Sequence, residues 1–109
     1  MTCQFHSLYY GDEGYVVCCK NCGQYQIAFL SVILSLSEKN FIVLCKQVET
    51  KCTEESLIFN KQSKSIIITT PAMDVSIVLT GAEAIHFNKI LQEADNEMKA
   101  INLLSLFNQ

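Results

Sequence analysis

The hydrophobic positions near the start of the chain are rich in aromatic and β-branched residues, which is typical of β-strands. Two such segments, Phe5–Tyr10 and Tyr15–Cys19, flank the sequence Gly11-Asp12-Glu13-Gly14, which is a strong turn signal. We therefore predict an antiparallel hairpin in which His6 lies near Cys19.

A period of two runs through Tyr25–Leu36, which we predict to be one long extended strand. One face would be fully buried and the other partly covered. The face predicted to be buried carries Ala28, Leu30, Val32, Leu34 and Leu36.

Two helices follow from a change of period to three and four residues. Ser37 is the predicted N-cap of the first helix, which carries apolar residues from Phe41 to Cys52 and ends near Lys51. The second begins at the capping box Thr80-Gly81-Ala82-Glu83 and continues to about Phe107. Its apolar stripe comprises Ala84, Phe87, Leu91, Ala94, Met98, Ile101 and Leu104, and the last turns widen it with Leu103, Leu106 and Phe107.

Three short strands are predicted between the helices, at Leu57–Asn60, Lys64–Thr70 and Val75–Leu79. The expected fold class is α+β: an N-terminal β-hairpin, antiparallel sheet, and two helices, of which the second is long and C-terminal. A chain of 109 residues is expected to form a single domain over residues 1–109.

Charge disfavours polyanionic partners. The net charge is −3 and all eight basic residues are lysines, so the arginine fork that grips phosphates and guanine edges is missing. We expect no nucleic-acid and no membrane partner. Neither a signal peptide nor an apolar run long enough to span a bilayer is evident, so a cytoplasmic location is expected. Cysteines there are reduced, buried or metal-bound.

Two short motifs are the strongest chemical signal. Cys3-Gln4-Phe5-His6 and Cys19-Lys20-Asn21-Cys22-Gly23 would meet at the same end of the predicted hairpin. Zinc favours four thiolate or imidazole ligands, and a glycine after the second cysteine allows the tight turn of a knuckle. The sequence therefore predicts a structural zinc site with the ligands Cys3, His6, Cys19 and Cys22.

Other interpretations of these residues remain open. Cys18 could replace Cys19 as a ligand, although neighbours on a strand point to opposite faces and Cys18 is expected to pack inside. Cys19 and Cys22 could also form a disulfide or stay as thiols. Iron or cobalt could occupy a site of three cysteines and one histidine.

The remaining candidate residues favour structural roles. Cys45 and Cys52 lie on the apolar stripe of the first helix and are expected in the core. His86 falls on the polar face of the second helix, with no partner that would make a base–nucleophile pair. No phosphate-binding loop or nucleophile elbow occurs, and no small-molecule substrate is identifiable.

The knuckle resembles those of zinc-ribbon proteins. Over most of its length the chain resembles a family of small uncharacterised proteins of Bacteroidota-type bacteria. The residues that carry the resemblance are Cys3-x-x-His6, Gly14-Tyr15, Cys19-x-x-Cys22-Gly23, Gln26-Ile27-Ala28-Phe29, and Leu34-Ser35-Leu36-Ser37 before Phe41. The resemblance supports a metal knuckle and implies no substrate, because that family has no assigned activity.

Three functions are compatible with these features. The favoured hypothesis is a non-catalytic domain with structural zinc that binds a protein partner or itself as a homodimer. A thiol redox or metal-sensing protein using Cys19 and Cys22 is the first alternative, although a strand rather than a helix follows the motif. A zinc-ribbon nucleic-acid binder is the second, disfavoured by the acidic charge.

Overall fold

The computed structural model describes residues 4–53 and 64–107, which form two antiparallel sheets and two helices. The predicted α+β class, with its long C-terminal second helix, is confirmed. The strands are β1 (Phe5–Gly11), β2 (Gly14–Cys19), β3 (Tyr25–Phe29), β4 (Val32–Leu36), β5 (Lys64–Thr69) and β6 (Ser76–Thr80), and the helices are α1 (Glu38–Cys52) and α2 (Gly81–Phe107).

The first sheet is a meander in the order β1-β2-β3-β4. Strands β1 and β2 form the predicted hairpin, but the register shifts between Ser7 and Tyr9. A bulge places an extra residue on one strand, so the pairing beyond it moves by one. His6 consequently lies opposite Cys18, and Phe5 opposite Cys19, which corrects the predicted proximity of His6 and Cys19 by one residue.

The single long strand predicted at Tyr25–Leu36 is wrong. The chain reverses at Leu30 and Ser31, and β3 pairs with β4 in a tight hairpin. Leu30 has a φ of 54°, the left-handed region that glycine or asparagine normally occupies. The predicted faces are exchanged in β3 only: Tyr25, Ile27 and Phe29 are buried, and Leu30, which was expected inside, is exposed. In β4, Leu34 and Leu36 are buried as predicted.

Helix α1 begins and ends as predicted. The Ser37 hydroxyl accepts a hydrogen bond from the backbone N–H of Asn40 at 3.2 Å, satisfying one of the free donors of the first turn. Phe41, Leu44 and Val48 are buried on the inner side, and the Phe41 ring stacks on the Tyr25 ring with centroids 4.2 Å apart.

The second sheet contains two described strands, β5 and β6, joined by a turn that includes Pro71. The predicted strands at Lys64–Thr70 and Val75–Leu79 are thus confirmed within one residue at each end. The strand predicted at Leu57–Asn60 lies outside the described residues.

Helix α2 starts at the predicted capping box. The Thr80 hydroxyl accepts from the Glu83 N–H at 3.0 Å, and the Glu83 carboxylate accepts from the Thr80 N–H at 2.9 Å. The fully buried Phe87 stacks on Phe29 of the first sheet at 4.4 Å, which anchors the helix to the core.

The far end of α2 leaves the core. The buried residues of this helix stop at Ala94, Met98 and Ile101 are half-buried, and residues 102–107 are all exposed. A helix of 27 residues is about 40 Å long, and the molecule measures 49 × 28 × 25 Å. Within the described part of the chain, neither helix combines the length and apolar character needed to cross a bilayer.

Candidate metal site at the end of the first hairpin

The chain closes a tight loop directly after β2. The carbonyl of Cys19 accepts a hydrogen bond from the Gly23 N–H at 2.9 Å, and the Cys19 N–H donates to the Gln24 carbonyl at 2.9 Å. Gly23 has a φ of 75°, as the position after the second cysteine was predicted to require. The predicted Cys-x-x-Cys-Gly knuckle is therefore present in the backbone.

The two cysteines of the knuckle lie close together and differ in exposure. Cys19 is 1% exposed, whereas Cys22 is at the surface. Both line a cavity of about 100 Å³ that Phe5 and Gln24 also border. The structure thus brings two of the four predicted ligands to one place, with one sulfur inside and the other accessible.

His6 lies on the neighbouring side of the hairpin end. Its partner across the ladder is Cys18, and together with Cys19 and Glu38 these residues line a separate cavity of about 330 Å³ under α2. Cys19 borders both cavities and links the two groups of side chains. Cys3 lies outside the described residues.

The donor chemistry fits zinc, although the ligands are incomplete in the part of the chain that the structure describes. Two thiols from a knuckle are a common half of a structural zinc site, and imidazole is a suitable further ligand. Among residues 4–53 and 64–107, no three histidine, cysteine or acidic side chains are grouped closely enough to hold a metal ion.

The N-terminal strand is tied to the knuckle by its backbone. The Lys20 N–H, within the knuckle, donates to the Gln4 carbonyl at 2.9 Å, so the β1–β2 ladder extends past Cys19. The residues on either side of this bond belong to the two predicted ligand motifs. The described part of the first motif, from Gln4 to His6, therefore lies beside the knuckle at one end of the hairpin.

The other cysteines are packing residues. Cys18 is buried with the core, as predicted, and desolvation raises the pKa of its thiol. Burial also raises the pKa of Cys45 to about 12. The Cys52 thiol is half-buried at the helix end and donates to the Ala84 carbonyl at 3.2 Å. A raised pKa disfavours the thiolate, the form that attacks disulfides or binds metals.

His86 has neighbours that the sequence pattern did not reveal. Its Nε2 lies 2.9 Å from the Oε2 of Glu13 in the β1–β2 turn, and its ring lies over Phe29 with centroids 6.4 Å apart. Both side chains of the pair are more than a third exposed, so the contact contributes little to stability. The pair places the hairpin turn beside the first turns of α2.

The end of α2 presents a concentration of exposed apolar side chains. Leu103, Leu104, Leu106 and Phe107 are exposed by 56%, 61%, 65% and 79%. The turns that carry them contain neither acidic nor basic residues after Lys99. Exposed apolar side chains that cluster in this way mark interaction sites more often than isolated ones do.

Fold and site together define a small α+β domain with a cysteine knuckle at one end of a β-meander and an apolar helix end that projects from the core. The chain belongs to the family of unknown function DUF6686, which it matches over residues 1–108. No curated protein and no solved structure matches the chain.

Proposed function

We propose that this protein is a non-catalytic protein-interaction domain whose N-terminal hairpin is fastened by one structural zinc ion. The observation that carries the interaction role is the projecting end of α2. The zinc ligands in this proposal are Cys3, His6, Cys19 and Cys22, and the site is structural because four protein ligands leave no open position for a substrate.

The helix end supports binding because its apolar side chains are exposed and lie outside the core that the described residues form. The core stripe of α2 ends with the half-buried Ile101, yet large apolar residues continue for two more turns. Fully burying a leucine or phenylalanine contributes about 1.5–3 kcal/mol relative to leaving it in water. A partner that covers this end therefore gains affinity from side chains that contribute little to folding.

The zinc proposal rests on the knuckle. The Gly23 turn and the hydrogen bonds of the Cys19 backbone hold the loop in its closed form, and the ladder brings Gln4 beside Lys20. When bound, zinc would supply a cross-link between the start of the chain and the loop after β2. A hairpin fastened in this way keeps its register under the α2 helix, where Cys18 and His6 face the larger cavity.

Metal analysis tests the zinc site. Protein purified under reductant without chelator should contain about one zinc per chain, and the double variant Cys19→Ser/Cys22→Ser should contain none. Cys52→Ser is the matched control, because a hydroxyl can keep the hydrogen bond to Ala84 and should leave the zinc content unchanged. Equal zinc in wild type and the double variant would refute the site.

Site-specific cross-linking tests the interaction role. A photoreactive amino acid at Leu104 should give discrete protein adducts in the cells that make the chain. The same amino acid at Met73, which is 88% exposed on the β5–β6 turn, should not. Identical results at the two positions would show that the helix end is not a preferred contact surface.

A further inference from the structure

The last turns of α2 carry a second apolar stripe, distinct from the one that packs on the core. Its members, Ala100, Leu103, Leu104 and Phe107, follow the i, i+3, i+4, i+7 spacing of one helix face. At 100° per residue, this face points about 170° away from the one that carries Phe87 and Leu91. All four stripe residues are exposed.

This second stripe is complementary in shape to itself. When two copies of the helix run antiparallel about a two-fold axis between residues 103 and 104, Phe107 of one copy lies opposite Ala100 of the other. Leu103 then lies opposite Leu104, twice. A helix interface is filled without voids when large side chains face small ones and side chains of equal size face each other between them.

The charges around the stripe favour a second protein copy over a lipid surface. Helices that lie on membranes rely on lysine and arginine beside their apolar face. Here the last basic residue is Lys99, which pairs with Asp95 at 2.9 Å, and the turns beyond it are uncharged. Two copies of an uncharged stripe meet without repulsion, even though each chain carries a net charge of −3.

The exposed area of the second stripe limits how much surface such a contact can bury. The four side chains expose roughly 450 Å² per chain, or about 900 Å² for two, which is below the ~1,200 Å² of stable complexes. A contact of this size is expected to be weak and concentration-dependent.

We propose that the chain forms an isologous dimer in which the second stripe, Ala100, Leu103, Leu104 and Phe107, pairs antiparallel with the same stripe of another copy. This inference rests on the proposed interaction role of the helix end and names its partner. The zinc site takes no part in it, since the knuckle cysteines are not among the stripe residues.

Sedimentation equilibrium of the full chain, from about 5 to 500 μM, measures the association. Wild type should pass from monomer to dimer over this range, and Phe107→Glu should stay monomeric with an unchanged circular dichroism spectrum. Met73→Glu is the control, because it also adds a charge at an exposed apolar residue and should dimerise as wild type does.

A mixing experiment tests the orientation. Leu103→Lys and Leu104→Glu should each weaken dimerisation at least tenfold, whereas an equimolar mixture should recover part of it. In the antiparallel pair, the lysine of one copy faces the glutamate of the other. In a parallel pair these positions do not face each other, so a mixture no tighter than either variant overturns the antiparallel arrangement.

Two other outcomes would overturn the dimer, and each gives a different result for the proposed interaction role. A wild-type monomer at every concentration, with Leu104 cross-linked to a different protein in cells, would exclude the second copy and keep the interaction role. Binding to neutral phosphatidylcholine vesicles that Phe107→Glu abolishes, with no dimer in solution, would identify a lipid surface instead.

Discussion

Gly14, at the start of β2, is predicted to be intolerant of any side chain. It lies opposite Phe29 in the ladder, where β2 and β3 approach closely. A Cβ atom at this position would lie 1.8 Å from the carbonyl oxygen of Ala28 and 2.8 Å from the carbonyl carbon. Because both atoms belong to the backbone, the clash cannot be relieved by rotating a side chain.

Gly14→Ala must therefore separate the two strands at this point. The Leu30 N–H donates to the Glu13 carbonyl at 2.9 Å next to this point. Separating the strands would stretch this hydrogen bond together with those of the β2–β3 ladder. Loss of two or three such bonds at about 1 kcal/mol each, with imperfect packing around them, destabilises the fold by about 3 kcal/mol. The total free energy of unfolding of a domain of this size is about 5–15 kcal/mol.

Gly23→Ala is the matched comparison, because it makes the same change of residue in open space. Nothing lies within 4 Å of a Cβ there, so only the positive φ opposes alanine, which costs about 1 kcal/mol. Both variants change the unfolded chain equally, and their difference isolates the clash. Urea unfolding in one reducing, zinc-containing buffer should give a gap of about 2 kcal/mol. Equal stabilities would refute the reasoning.

Two further predictions concern buried thiols and the start of α2. Because burial raises the pKa of folded Cys45 from 9.0 to about 12, its contribution to stability is complete below pH 9 and is lost as the pH rises towards 12. Cys45→Ala should flatten the fall in unfolding free energy between pH 9 and 11 by about 1 kcal/mol per pH unit, and an unchanged slope would contradict this. Thr80→Ala removes the acceptor for the Glu83 N–H and should lower stability by about 1 kcal/mol in urea unfolding. Glu83→Gln, which can keep the reciprocal bond, should cost clearly less, and equal losses would argue against the capping box.

Local signals predicted the parts of the fold that depend on neighbouring residues. The N-cap at Ser37, the capping box at Thr80 and the positive φ at Gly23 each arise from a side chain or glycine acting within four residues. Such signals can be recognised in a sequence because the side chain and the backbone group that interact lie in the same short segment. The knuckle half of the candidate site was predictable for the same reason.

Features that depend on tertiary pairing were missed. The β3–β4 turn carries no glycine, asparagine or aspartate, so Leu30 in a left-handed conformation gives no sign in the sequence, and the alternation runs through it unbroken. The bulge near Leu8 likewise has no local marker, yet it decides that His6 faces Cys18. The contact of His86 with Glu13 joins residues that are far apart in the sequence.

The unsupported end of α2 ties binding to helix formation. The last two turns continue a helix that is already nucleated over the core, so they form by propagation alone, and no packing on the core adds to that weak tendency. Beyond Ile101 the backbone amides are therefore expected to exchange with solvent faster than those near Phe87. A partner that covers the second stripe would slow this exchange, so affinity at this end is set by helix propensity as well as by contact area. Residues that never touch the partner can thus tune the strength of the complex.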